Sequence, residues 1–366
     1  IVNLSEELKK YSNVELHIIT SSANIPYSQE FIKDNINFHV VKYNLPFTNR
    51  GFPAFFRLDK FIWYKGFVIK ALEIIDEIQP DLIHAYGTEK AFALIACESN
   101  FPAIVSIQGI ISEINKVAPS FNLMLQIKIE KYVLRKNMIF GCRTHWDRNI
   151  VNQLNPKAEI YYVPEAINSL FFNNTWQLPI DRSILTVGAV IKRKGVEVLL
   201  KACGKVKNEF PDFKLKIIGN GKPNYIFRLK KISKNLEIEE NVIWMGSQGP
   251  QVIASELSRS TLFVLPSFID NSPNSLAESM AVGTPSIASN VGGVSSMIKD
   301  KYDGILTAKG DSDELAQHII ELMKDNDYLV KLSKNAKQIA RIRNKPEVVA
   351  KQTIDVYQQI IKKKNN

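Results

Sequence analysis

Two acidic residues, Asp270 and Glu278, stand eight positions apart within PSFIDNSPNSLAESMAVGTPSIASNVGG, residues Pro266 to Gly293. A carboxylate accepts two hydrogen bonds, which suits the hydroxyls of a sugar or a ribose. Asp270 falls in a polar loop, and Glu278 falls in the first turn of an expected helix, Leu276–Val282. Asn274 and Ser275 are read as its caps and Gly283 as its stop. The first N–H groups of such a helix lack intrahelical partners and carry partial positive charge, so they offer a phosphate site. Asn271, Asn274, Ser275 and Leu276 border that site. Carboxylates beside a phosphate site describe a pocket for a sugar nucleotide.

A second signal lies upstream, in ILTVGAVIKRKGVEVLLKA. A strand ends at Gly188, and the basic turn Lys192–Arg193–Lys194–Gly195 leads into a helix. Two cations there would neutralise a departing diphosphate, and preorganised charge of this kind is usually the largest catalytic term. A solvated basic turn explains Arg193 about as well. Gly219–Asn220–Gly221 follows the next strand, and Trp244–Ser247 ends the one after it.

Together these stretches resemble glycosyltransferase family 4, retaining enzymes of the GT-B fold with an E-x7-E signature. The first acid is here Asp270, one methylene shorter than the usual Glu. Lys194–Gly195 matches the family's Lys-Gly, whereas the usual upstream Arg is replaced by Ala189, with Arg193 placed to supply the charge from the turn. Gly219–Asn220–Gly221 resembles the family's Gly-x-Gly turn near the nucleotide, and Trp244–Ser247 is expected to border the base. PDLIHAYGTEKAFAL, PAIVSIQG and GCRTHWDR resemble first-domain segments of the same family. Gly87–Thr88–Glu89 is read there as a helix cap. Gln108 stands where many relatives have a His facing the sugar, and Gln cannot carry a proton at neutral pH.

The resemblance implies transfer of a sugar from a nucleoside diphosphate to an acceptor hydroxyl, on a saccharide or a lipid-linked saccharide. Glu278 would hold the ribose and Asp270 the donor sugar hydroxyls. Lys194 and Arg193 would take the diphosphate, with Gly188, Gly219 and the N–H groups near Ser275 and Leu276 around it. Gln108 would contact the sugar from the other domain. Asp311–Ser312–Asp313 and Asp325–Asn326–Asp327 read as N-caps, so no metal and no cofactor is expected. The departures at Asp270, Ala189 and Gln108 leave open a catalytically inactive protein that binds sugar nucleotides or glycans. A sugar-nucleotide epimerase or phosphorylase of the same architecture is a further alternative.

The elements that must position these residues follow from periodicity. Short β-branched runs alternate with amphipathic helical ones through most of the 366 residues. That pattern argues α/β architecture, with parallel sheets covered by helices on both faces. There are too many strands for one such domain, so two doubly wound, Rossmann-like domains are expected, as in GT-B. We read residues 1–167 as an acceptor-side domain, 168–182 as a linker and 183–343 as the nucleotide-sugar domain. Residues 344–366 would form a helix returning to the first domain. The sequence opens on a helical stretch, Ile1–Lys10, where a doubly wound domain usually has a strand and a glycine turn. An N-terminal truncation of about twenty residues is the expectation.

Composition narrows the partners. Net charge is +1 over residues 1–170 and +9 over residues 171–366. A basic half fits a phosphate-bearing partner, and no nucleic-acid-binding module accompanies it. Cys97, Cys142 and Cys203 form no CxxC pair, and isolated thiols suit a reducing compartment. No apolar run is long enough to span a bilayer. Gly51–Lys70 interleaves aromatic and basic residues, a pattern suited to the bilayer interface, although Phe55, Phe61 and Phe67 at helical spacing also suit a core. A cytosolic protein in peripheral contact with the anionic inner face of the plasma membrane is the expectation.

Overall fold

A computed structural model of the chain describes residues 2–43, 60, 62–179 and 181–364. They fall into two compact units, one of residues 1–164 with 349–366 and the other of residues 165–348.

In the first unit the helix Val2–Leu8 is followed by β1 (His17–Ser22), β2 (Gln29–Lys33) and β3 (Ile36–Lys42). These form a three-stranded sheet in the order β1-β3-β2, with β1 and β3 parallel and β2 antiparallel to β3. Sequence periodicity did not reveal β2, because Gln29–Lys33 is an edge strand with almost every side chain exposed. A second, parallel sheet follows in simple order: β4 (Ile83–Tyr86), β5 (Ala103–Ser106), β6 (Ile139–Cys142) and β7 (Glu159–Tyr162).

The helix expected over Asp59–Ile78 spans Lys65–Ile78. Trp63 and Tyr64 both have positive φ, 52° and 54°, which interrupts helical geometry just before it. Of the aromatic–basic segment Gly51–Lys70, residues 51–59 and 61, Phe55 and Phe61 among them, lie outside the described residues. Phe67 is 1% exposed and belongs to the core.

The helix Pro346–Lys364 ends in the first unit. Its Val356 and Ile360 pack with Ile104 and Val163. The Tyr357 hydroxyl lies 2.5 Å from His84 Nδ1, and His84 Nε2 lies 2.7 Å from Ser106 Oγ. Burial, aided by the Arg143 charge, holds the His84 imidazole near pKa 3, so it is neutral and serves as a fixed polar pin.

The second unit is one six-stranded parallel sheet. Its strands are β8 (Ser183–Val187), β9 (Lys214–Ile218), β10 (Val242–Gly246), β11 (Leu262–Leu265), β12 (Ser286–Ser289) and β13 (Ile305–Thr307). Every residue of β8, β11 and β12 is buried, as expected of central strands with helices on both faces. Residues 168–182, read from sequence as a linker, contribute to this unit's core: Phe171, Phe172 and Trp176 are buried in it. Trp176 donates from its backbone N–H to Val282 O and from Nε1 to Ser260 O.

Candidate functional site

Strand order in the second sheet is β10-β9-β8-β11-β12-β13. The chain runs outward from β8 in one direction and then, from β11, in the other. Open α/β sheets bind ligands at such a reversal, beyond the carboxyl ends of the two strands that flank it. The loops leaving β8 and β11 are the two that carry the basic turn and Asp270.

Both loops are clamped together by backbone contacts. Phe268 N–H donates to Arg193 O at 2.8 Å, and Gly293 N–H donates to Asp270 O at 3.0 Å. Gly195 has φ 70°, and a Cβ there would lie 1.8 Å from Pro266 O. Gly292 has φ 53°, and its Cβ would lie 2.1 Å from Asp270 O. Only glycine combines that conformation with that proximity. The Lys-Gly turn and the Gly-Gly turn thus hold the acid-bearing loop from either side. The turn after β9 braces the same region: Gly219 N–H donates to Gly246 O, Gly188 N–H to Ile218 O and Val190 N–H to Asn220 O.

Within this frame the side chains of Asp270, Lys194 and Arg193 meet. Lys194 Nζ lies 2.8 and 2.9 Å from the two carboxylate oxygens of Asp270. Arg193 Nη1 lies 3.4 Å from Oδ1 of the same carboxylate. All three side chains are largely shielded from solvent. The cationic turn therefore already holds one anion, supplied by the protein.

The helix bearing Glu278 begins earlier than the sequence suggested, spanning Asn274–Val282. Pro273 is its N-cap and no side chain caps it, so Asn274 and Ser275 are its first two residues rather than caps. Pro273 presets φ at −67° and supplies the first acceptor. Leu276 N–H donates to Pro273 O at 3.1 Å, which leaves the N–H groups of Asn274 and Ser275 at the open end. Asn271 is buried in the preceding loop. Gly283, at φ 91°, stops the helix as expected.

Glu278 is mostly buried, and among the described residues nothing hydrogen-bonds its carboxyl group. Burial pushes its pKa up to about 7. A protein keeps such a group at a cost in stability, and a pair of ligand hydroxyls would satisfy it.

In the first unit, Gln108 lies two residues beyond β5, and its Nε2 is buried with no partner among the described residues. The same is true of Thr88 Oγ1 and Glu89 Oε2, which lie just beyond the neighbouring strand β4. The two strands pair in register, Tyr86 with Ser106, and Gly87 N–H donates to Ser106 O. Gly87–Thr88–Glu89 does not cap the helix that follows. That helix starts at Ala91 with Lys90 as its N-cap and no side-chain capping bond. Burial raises the Glu89 pKa. Sequence reading takes Thr88 and Glu89 only for a cap, because Gly-Thr-Glu before a helix suits one; the signal for another role is their place at the carboxyl end of a parallel strand.

Asp311 accepts hydrogen bonds from the N–H groups of Asp313 and Glu314, and Asp325 accepts one from Tyr328 N–H. In each pair the first acid, Asp311 or Asp325, is the helix cap. Among the described residues no cluster of His, Cys, Asp and Glu could hold a metal ion, and no helix is long and apolar enough to cross a membrane.

Comparison with known proteins agrees with this geometry. Residues 174–339 match the family described as glycosyl transferases group 1. The chain is similar to N-acetyl-alpha-D-glucosaminyl L-malate synthase of Bacillus anthracis, at 24% identity over 96% of this chain and 91% of that one. Among solved structures it resembles sucrose-phosphate synthase of Thermosynechococcus elongatus, with a TM-score of 0.80 at 19% identity, covering 97% and 91% of the two chains. It also resembles HepE of Anabaena in complex with UDP-glucose, with a TM-score of 0.68 at 19% identity, over 80% and 82%. The chain has the GT-B fold, and its residues 174–339 match group 1 glycosyl transferases.

Proposed function

We propose that this protein is a glycosyltransferase that moves a sugar, with retention of configuration, from a nucleoside-diphosphate sugar to a hydroxyl of a saccharide or lipid-linked saccharide, in cell-surface polysaccharide or glycolipid synthesis. The observation that carries the reading is the meeting of Lys194, Arg193 and Asp270 at the strand-order reversal, next in sequence to an uncapped helix that bears a buried carboxyl. Anions bind at such helix starts, and the HepE structure with UDP-glucose shows a protein of the same fold holding a donor of this class.

In this reading the donor diphosphate takes over the two cations from Asp270. Lys194 and Arg193 then face the charge that develops as the sugar–phosphate bond breaks, with the Asn274 and Ser275 N–H groups beside them. Glu278, ionised, accepts both hydroxyls of the ribose, which restores the hydrogen bonds that burial denies it. Asp270, released, is free to accept hydroxyls of the transferred sugar. No carboxylate is assigned as a nucleophile. The departing phosphate oxygen takes the acceptor proton as the acceptor oxygen attacks from the same face. Gln108, Thr88 and Glu89 offer an amide, a hydroxyl and a carboxyl to sugar hydroxyls in the first unit.

The test is a donor panel followed by product analysis. UDP-, GDP- and ADP-sugars are compared by their effect on melting temperature, and the stabilising donor is incubated with saccharide acceptors. Transfer giving a product of retained anomeric configuration is expected. Donor binding without transfer would instead support an inactive binding protein, and a changed donor sugar with no acceptor used would support an epimerase.

A further inference from the structure

The helix Phe121–Lys136 of the first unit has an unusual outer side. At 3.6 residues per turn, Phe121, Met124, Lys128, Lys131 and Arg135 fall within about 80° of arc. The opposite side, with Leu125, Ile129, Val133 and Leu134, is buried. Phe121 is 56% exposed and Met124 57%. Lys128, Lys131 and Arg135 are exposed and pair with no carboxylate among the described residues. The helix has one acid, Glu130, which points inward and accepts from the N–H groups of Ile111 and Ser112 at 2.5 and 2.9 Å. The outer side therefore mixes large apolar groups with charge of one sign.

A second element extends it. Trp63 packs edge-on against Tyr132 of this helix, ring centroids 5.1 Å apart, which brings the chain against the helix at that point. There Ile62, the neighbouring residue, is 44% exposed.

We propose that this face docks the first unit on an anionic membrane surface. Lys128, Lys131 and Arg135, with no acid between them on the outer side of the helix, complement anionic head groups. Apolar tips standing singly between those cations suit the boundary between head groups and acyl chains, where each can enter without a shaped pocket. A nucleic acid would use the cations and leave Phe121, Met124 and Ile62 without a role. The inference does not depend on which sugar or acceptor the site takes.

Co-sedimentation of the whole protein with phosphatidylcholine vesicles, with and without phosphatidylglycerol, tests it. Binding is expected only with the anionic lipid and should weaken as salt rises. Lys128→Glu, Lys131→Glu and Arg135→Glu combined should lower partitioning by roughly a hundredfold or more. Phe121→Ser with Met124→Ser should lower it at least tenfold while leaving binding to heparin unchanged. All five side chains are exposed, so unchanged melting temperatures are expected and serve as the folding control. Failure to bind anionic vesicles at low salt would overturn the proposal. So would binding indifferent to the Phe121 and Met124 changes, which would make the face a polyanion site.

Discussion

Replacing Glu278 by Gln should make the protein more stable, and more so at high pH than at low. The Glu278 pKa is about 7 in the folded protein against an ordinary 4.5. Between those two values the folded state keeps a proton that the unfolded chain has lost, so it binds more protons and stability falls as pH rises through that window. Above the folded value the penalty is constant. Linkage makes it about 1 kcal/mol at pH 5 and about 3 kcal/mol at pH 8. Gln has similar size and no charge to desolvate. Its own unpaired amide costs roughly the same at both pH values, so the difference between the two measurements isolates the ionisation. Urea unfolding of wild type and Glu278→Gln at pH 5 and pH 8 should show the variant gaining about 2 kcal/mol on the wild type between them. The same variant should bind donor poorly, because an amide cannot accept from both ribose hydroxyls with both of its heteroatoms. A stability difference that does not change with pH would refute the reasoning, since it would mean that the carboxyl is not ionised at a cost.

Lys194→Ala should reduce turnover on the order of a hundred- to thousandfold, with a melting curve close to wild type, because the ammonium faces the leaving diphosphate; steady-state kinetics with the donor found in the panel would show it. Asp270→Asn frees Lys194 and removes a negative charge beside the phosphates, so calorimetry should find tighter binding of the nucleoside diphosphate while transfer falls; weaker binding would count against the exchange of anions. Asp270→Glu keeps the charge and should be tolerated in both assays. Gly195→Ala puts a methyl 1.8 Å from Pro266 O, and the displaced loop should abolish donor-induced stabilisation. Tyr357→Phe removes the hydroxyl that meets the buried His84 and should cost about 1–3 kcal/mol in urea unfolding.

Much of the second unit could be read from sequence because its central strands are unbroken apolar runs and its turns are marked by glycine and proline. The strand order could not, since it depends on pairing between distant segments and no local pattern records it. The same limit hid the ion pair of Lys194 with Asp270, whose partners are 76 residues apart. Sequence named both residues and assigned them separate roles. Asn274 and Ser275 were taken for caps because their side chains favour that position, but Pro273 already fixes the backbone one residue earlier. Thr88 and Glu89 suit a cap for a similar reason, and only the buried, unpartnered Thr88 Oγ1 and Glu89 Oε2 distinguish them. The start of the helix before Ile78 was misplaced because aromatic residues at helical spacing continue through Trp63 and Tyr64, where the backbone turns left-handed.

The packing of Val356, Tyr357 and Ile360 into the first unit has a consequence for synthesis on the ribosome. Residues 1–164 emerge early, yet the side chains that cover Ile104 and Val163 and meet His84 emerge only after the whole second unit has been made. Domains usually fold as they appear, in order from the N-terminus. Here the unit that appears first is the last to be completed. Throughout translation it must persist with an uncovered apolar strip, which makes the nascent first unit a natural substrate for chaperones.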